Sequence, residues 1–132
     1  MTTFPLKIVT PDGLVYDGMA EKVIVRTTAG DVGILAKHTN FVAPIGMGQA
    51  TIVIDGEEKY AACMGGMVSV VDGLVTLVPI TFEWGVDIDM ARAEASEKRA
   101  RDVLENKNIS EMDVKMAEAR LKRALVRQSV GK

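Results

Sequence analysis

The residues best placed to do chemistry in this 132-residue chain are arginines. Arg92 and Arg99 stand seven positions apart, and Arg120, Arg123 and Arg127 follow at i, i+3 and i+7. On a helix each set lies along one face. A guanidinium is planar, permanently charged and able to hold a phosphate through two parallel hydrogen bonds. Several brought together repel one another unless an anion sits among them. The same spacing also fits two solvated faces whose arginines point apart. Asp89 is three residues before Arg92 and shares its face. It suits either of two jobs, capping a helix start or contacting a ligand.

Other chemistries find little support. His38 has no Cys, Asp or second His at ligand spacing, so a metal role is not expected. The single Cys63 excludes an internal disulfide and a Cys-based metal site. Its apolar setting, Ala61-Ala62-Cys63-Met64, predicts a buried inert thiol and suits a reducing compartment. Gly65-Gly66 lacks the Lys-Ser/Thr of a phosphate-binding loop and opens no helix. A β-bulge or a tight approach between strands is expected there instead. No triad, metal cluster or paired-carboxylate pocket is visible, so no catalytic residue and no metal ligand is assigned.

The elements that must position these residues change character at 86–93. Before that point, residues 6–10, 14–17 and 22–27 read as strands rich in β-branched residues. Pro11-Asp12-Gly13 and Ala29-Gly30-Asp31 read as turns. Asp55-Gly56 and Asp72-Gly73 each sit between two apolar runs, which is a strong hairpin signal. Residues 80–82 add a last short strand. About ten short strands with turns roughly every eight to twelve residues predict a β-sandwich over residues 1–86. The lack of a 3.6-residue period there argues against crossover helices and a parallel sheet. Residues 30–46 read as one long connection, either folded over the core or exposing an apolar patch to a partner.

Residues 87–132 read as an antiparallel two-helix hairpin, making the chain α+β and mainly β. Asp87 or Asp89 caps the first helix, which runs to about residue 105, and Ser110 caps the second, which runs to about residue 128. Ala93, Ala100, Val103 and Leu104 form one apolar face. Val114, Ala117, Leu121 and Ala124 or Leu125 form the other. Alanines bury little area, at about 0.8 kcal/mol per CH₂. Such a pair is close-packed but weakly held, and can open without losing helicity.

The net charge of −2 hides an asymmetry. Residues 1–86 carry nine acids against five bases, and residues 87–132 nine against eleven. No acid follows Glu118, which points to phosphate, an acidic protein surface or nucleic acid as partner. A nucleic-acid binder would show steep salt dependence. The acids of the first helix and the lack of stacking aromatics count against that reading. The N-terminus has no basic segment before an apolar core, so no signal peptide is expected. The longest uncharged run, 39–54, is broken by Pro44, Gly46 and Gly48 and is too short to span a bilayer.

Over essentially its full length the chain resembles the epsilon subunit of the F-type ATP synthase, in its bacterial, nucleotide-binding form. The matching residues are Val9-Thr10-Pro11-Asp12-Gly13, Gly30-Asp31-Val32-Gly33-Ile34-Leu35 followed by His38, Gly65-Gly66, and Ile88-Asp89-x-x-Arg92-Ala93. The family pattern usually has Pro-Gly before the His, where this chain has Ala36-Lys37. The resemblance implies a non-catalytic rotor subunit, peripheral to the cytoplasmic face of the bacterial plasma membrane. The sandwich would bind the gamma subunit and the c-ring, through a surface that includes Asp31, His38, Phe41 and Val42. The helical pair would permit ATP hydrolysis when compact against the sandwich. Extended along gamma towards the alpha and beta subunits, it would block hydrolysis. ATP, with or without Mg²⁺, would bind the compact form as a signal. The residues implied for it are Glu83, Ile88, Asp89, Arg92, Ala93, Arg99, Arg123 and Arg127.

Overall fold

The structure, a computed structural model, describes residues 2–131. It divides into two units, Met1–Trp84 and Gly85–Lys132. The division falls two residues ahead of the 86/87 boundary expected from composition, because a 3-10 turn at Gly85–Asp87 already belongs with the helices.

The first unit is a sandwich of two five-stranded sheets. Its strands are β1 (Phe4–Thr10), β2 (Gly13–Ala20), β3 (Lys22–Thr27), β4 (Gly30–Ile34), β5 (Phe41–Pro44), β6 (Met47–Ile54), β7 (Glu57–Met64), β8 (Met67–Val71), β9 (Leu74–Val78) and β10 (Thr81–Trp84). One sheet runs β2-β1-β9-β8-β5, the other β10-β7-β6-β3-β4. Period-two alternation turns Phe4, Leu6 and Ile8, Val23 and Val25, Val68 and Val70, and Val75 and Leu77 into a common core. Cys63 lies in that core, where burial pushes its thiol up to about 12 and leaves it unreactive. The two Asp-Gly hairpins form as expected, with Asp55, Gly56, Asp72 and Gly73 all at positive φ, as a type I′ turn requires.

One expectation needs correction. Residues 30–46 are not one connection: they supply β4 and β5, which close the edge of each sheet. Gly30 and Gly33 hide the alternation, yet Val32 and Ile34 still register against Val25 and Val23. Among the described residues neither a parallel sheet nor a crossover helix occurs in this unit, although β1 pairs with β9 in parallel at Leu6↔Val75 and Ile8↔Leu77. The chain between these two strands passes through both sheets, so no crossover helix is needed.

Gly66 marks a close approach of strands. Its φ is +80°, and a Cβ there would lie 1.9 Å from the Val78 carbonyl oxygen. The turn before His38 shows the reverse situation. Lys37 stands where the resembled pattern has Gly, and it is held at φ 64°. A left-handed backbone costs a residue with a Cβ roughly 1–2 kcal/mol, part of which Gly would return as unfolded-chain entropy. Lys37→Gly is therefore expected to stabilise the sandwich by about 0.5–1 kcal/mol. Urea denaturation checks this, and a lower midpoint would contradict it.

The second unit holds α1 (Met90–Glu105) and α2 (Glu111–Gly131). Ala93 and Ala100 on α1, and Ala117 and Ala124 on α2, are buried at seven-residue spacing and form the seam. Val130 is buried too, and of the alternatives Ala124 and Leu125 it is Ala124 that is buried, while Val103, expected on the apolar face of the first helix, is exposed. Small seam residues let the two backbones approach closely and push larger apolar side chains to the flanks. Among the described residues no helix is long and apolar enough to cross a membrane.

Candidate functional site

The helical unit is capped as the sequence suggests. Asp89 takes the N-cap of α1, its Oδ1 accepting a hydrogen bond from the Arg92 backbone N–H at 3.0 Å. Ser110 Oγ accepts from the Asp113 N–H at 3.1 Å at the start of α2. Glu111 and Asp113 in that first turn complement the helix dipole.

The two helices run antiparallel, as two contacts fix. Gln128 Nε2 donates to Glu97 Oε1 at 2.8 Å, and Gly131 lies against Ile88 and Met90. Glu97 Oε2 accepts from Arg101 Nε at 2.7 Å. Together, the Gln128 hydrogen bond first and Arg101 second, these hold the Glu97 carboxyl below its ordinary value of 4.5. An acid depressed on folding stabilises the fold above its unfolded pKa and loses that contribution as pH falls through its folded value. The tie between the helices is thus intact above 4.5 and weakens in more acidic solution. Helix melting followed from neutral pH to about pH 3 is expected to show a shallower acid loss in Glu97→Gln than in the native chain. Identical profiles would remove Glu97 as the cause.

One face of this pair is a groove of about 440 Å³. Ser96, Arg99, Ala100 and Val103 line it from α1, and Ala117, Arg120, Arg123 and Arg127 from α2. The arginines converge: Arg99, Arg123 and Arg127, implied by the resemblance, share the groove, and no carboxylate lines it. Among the described residues no ion pair involves Arg99, Arg120 or Arg123. Four guanidiniums around one cleft concentrate positive charge that an anion would offset.

The remaining implied residues sit elsewhere. Ile88, Asp89 and Arg92 gather at the start of α1, where Ile88 touches the end of α2 at Gly131. Arg92 does not line the groove. Ala93 is buried in the seam. Glu83 is on β10 of the sandwich, between Phe82 and Trp84, whose rings meet edge to face at 4.9 Å. Arg120 was visible in the i, i+3, i+7 spacing but lies outside the set the resemblance implies.

The implied partner residues lie on the edge strands β4 and β5 and on the connection between them. Asp31 on β4 is exposed and paired with Arg26 Nε at 2.6 Å, a solvated contact that contributes little to stability. The His38 ring lies 5.7 Å from that of Phe41, and Val42 on β5 is 62% exposed. The outer face of the same sheet adds Met67, Val71, Leu74 and Val78, with Met67 opposite Val78 and Val71 opposite Leu74. Sequence reasoning missed this apolar strip. Its signal was that β8 and β9 are apolar at nearly every position, more than a half-solvated strand needs.

A two-sheet sandwich followed by an alanine-seamed helical pair defines a class of small two-unit proteins. Its residues 3–85 match the family described as ATP synthase, Delta/Epsilon chain, beta-sandwich domain, and residues 87–130 match the same chain's long alpha-helix domain. The ATP synthase epsilon chain of Shouchella clausii (strain KSM-K16) is 38% identical over 132 residues, covering 100% of this chain and 97% of the relative. That of Bacillus velezensis (strain DSM 23117 / BGSC 10A6 / LMG 26770 / FZB42) is 42% identical over 130 residues, covering 98% of each. A chain of the Euglena gracilis mitochondrial ATP synthase, solved with OSCP, F1 and c-ring, superposes with a TM-score of 0.85 at 19% identity. It covers 98% of this chain and 81% of the other, and it speaks for the fold alone. The chain belongs to the epsilon-chain family of bacterial F-type ATP synthases, a non-catalytic subunit of the central stalk.

Proposed function

We propose that this chain couples the rotor of the synthase to its catalytic head and restrains ATP hydrolysis through the helical pair. The sandwich docks on the gamma subunit and the c-ring, which places the chain peripherally at the cytoplasmic face of the membrane. Its contact surface is the apolar strip of Met67, Val71, Leu74 and Val78 together with Asp31, His38, Phe41 and Val42. The helical pair exchanges between a compact form that permits hydrolysis and an extended form that blocks it at the alpha and beta subunits. ATP is the regulatory ligand of the compact form. The observation that carries this reading is the groove lined by Arg99, Arg123 and Arg127 without a carboxylate. A triphosphate supplies the anion that such a cluster needs, and charge-assisted hydrogen bonds favour the state in which both helices contribute.

Ile88 and Asp89, at the start of α1, are the residues for the base and ribose end. Asp89 separates the structural role from the functional one. As an N-cap its replacement by Ala costs about 1 kcal/mol of stability. As a nucleotide contact its replacement also lowers ATP affinity. Calorimetric titration of Asp89→Ala and Asp89→Ser with ATP tells them apart, because Ser caps as well as Asp. Full affinity in both variants would leave Asp89 with the cap alone. The regulatory claim is tested by ATP hydrolysis of the assembled complex carrying either the full chain or residues 1–86. Release from inhibition is expected with the short form, and equal rates would contradict it.

A further inference from the structure

We propose that Arg120 is a fourth phosphate-binding residue of the helical groove, and the one by which the site prefers a nucleoside triphosphate to a diphosphate. This rests on the nucleotide reading of that groove. Arg120 lines the same cleft as Arg99, Arg123 and Arg127, and no ion pair among the described residues involves it. Its place along the groove sets its task. The base-end residue Ile88 lies beside Gly131 at the end of α2, and Gln128 reaches Glu97 on α1. Counting back from that end, Arg127 comes first, Arg123 next and Arg120 last. At 1.5 Å per residue Arg120 is about 10 Å beyond Arg127. A ligand anchored at Ile88 and running down the cleft meets Arg127 with its first phosphates and Arg120 only with its last. Val103 flanks the cleft but carries no charge, so at that far end α1 offers the terminal phosphate no cation.

The test uses the full chain, titrated calorimetrically with ATP, ADP and inorganic tripolyphosphate. Arg120→Ala is expected to lose ATP affinity by roughly ten- to a hundredfold, the worth of a hydrogen bond to a charged group. ADP affinity should change far less, so the ATP preference collapses. Arg120→Lys keeps the charge but not the fork, and should recover part of the loss. Lys122→Ala removes the same charge from an exposed position that does not line the groove, and should change neither affinity appreciably. Arg120 is itself exposed, so helical circular dichroism should not change. Native ATP and ADP affinities in Arg120→Ala would overturn the assignment of Arg120 while leaving the nucleotide site standing. Equal losses for ATP and ADP would overturn its role in discrimination. Failure of the native chain to bind ATP would overturn the nucleotide reading, and this inference with it.

Discussion

Gly66→Ala is expected to destabilise the sandwich by about 3 kcal/mol or more. Two penalties combine at this position. The backbone is in the left-handed region at φ +80°, and the added Cβ would meet the Val78 carbonyl oxygen at 1.9 Å and Pro79 Cα at 2.8 Å. Those neighbours are backbone, so no side chain can swing aside. The strands must part, and with them goes the Ile45 N–H to Gly66 carbonyl hydrogen bond of 2.9 Å that ties β5 to this turn. Gly56→Ala is the matched control. Its φ is +78°, yet its Cβ would face open space. It should cost only the strain, about 1–2 kcal/mol. Guanidinium denaturation of both variants separates strain from clash. Equal costs would show that the strands give way more easily than their spacing implies.

Arg123→Ala is expected to lower ATP affinity by roughly ten- to a hundredfold, and Arg127→Ala by a similar factor. Both line the cationic cleft, one turn apart on α2. Arg127 makes other contacts as well, so Arg123 gives the cleaner reading. The two losses should not add, because guanidiniums that share one phosphate chain act as a unit. Binding should also weaken with salt, since the ligand's charge is screened at an open cleft. Calorimetric titration at two ionic strengths checks both points. Binding that ignores Arg123 and salt alike would place the nucleotide elsewhere.

The sequence made some features plain and concealed others, for physical reasons that differ from residue to residue. The Asp-Gly hairpins and both helix caps were legible because each depends on a side chain acting on its own backbone. The alanine seam was legible from its spacing, since period alone puts Ala93 with Ala100 and Ala117 with Ala124. β4 and β5 were hidden because Gly30 and Gly33 interrupt the alternation that marks a strand, while pairing with β3 and β8 overrides the weak local preference. The β1–β9 parallel pair was hidden because it joins the two ends of the unit, and no local signal reports a register that distant. For the cleft, spacing put Arg120, Arg123 and Arg127 on one face but left open whether Arg99 faced them. That depends on the rotation of one helix about the other, which the seam and the Gln128–Glu97 hydrogen bond set.

The claim on which the functional reading turns is that ATP holds the two helices together. The most direct measurement is the stability of the helical unit in the full chain, followed by helical circular dichroism with and without ATP. A ligand that binds only the folded pair at about a hundred times its dissociation constant should add about 2.7 kcal/mol. That gain should fall sharply in Arg123→Ala. A helical unit whose melting does not move with ATP, or moves equally in Arg123→Ala, would contradict the claim.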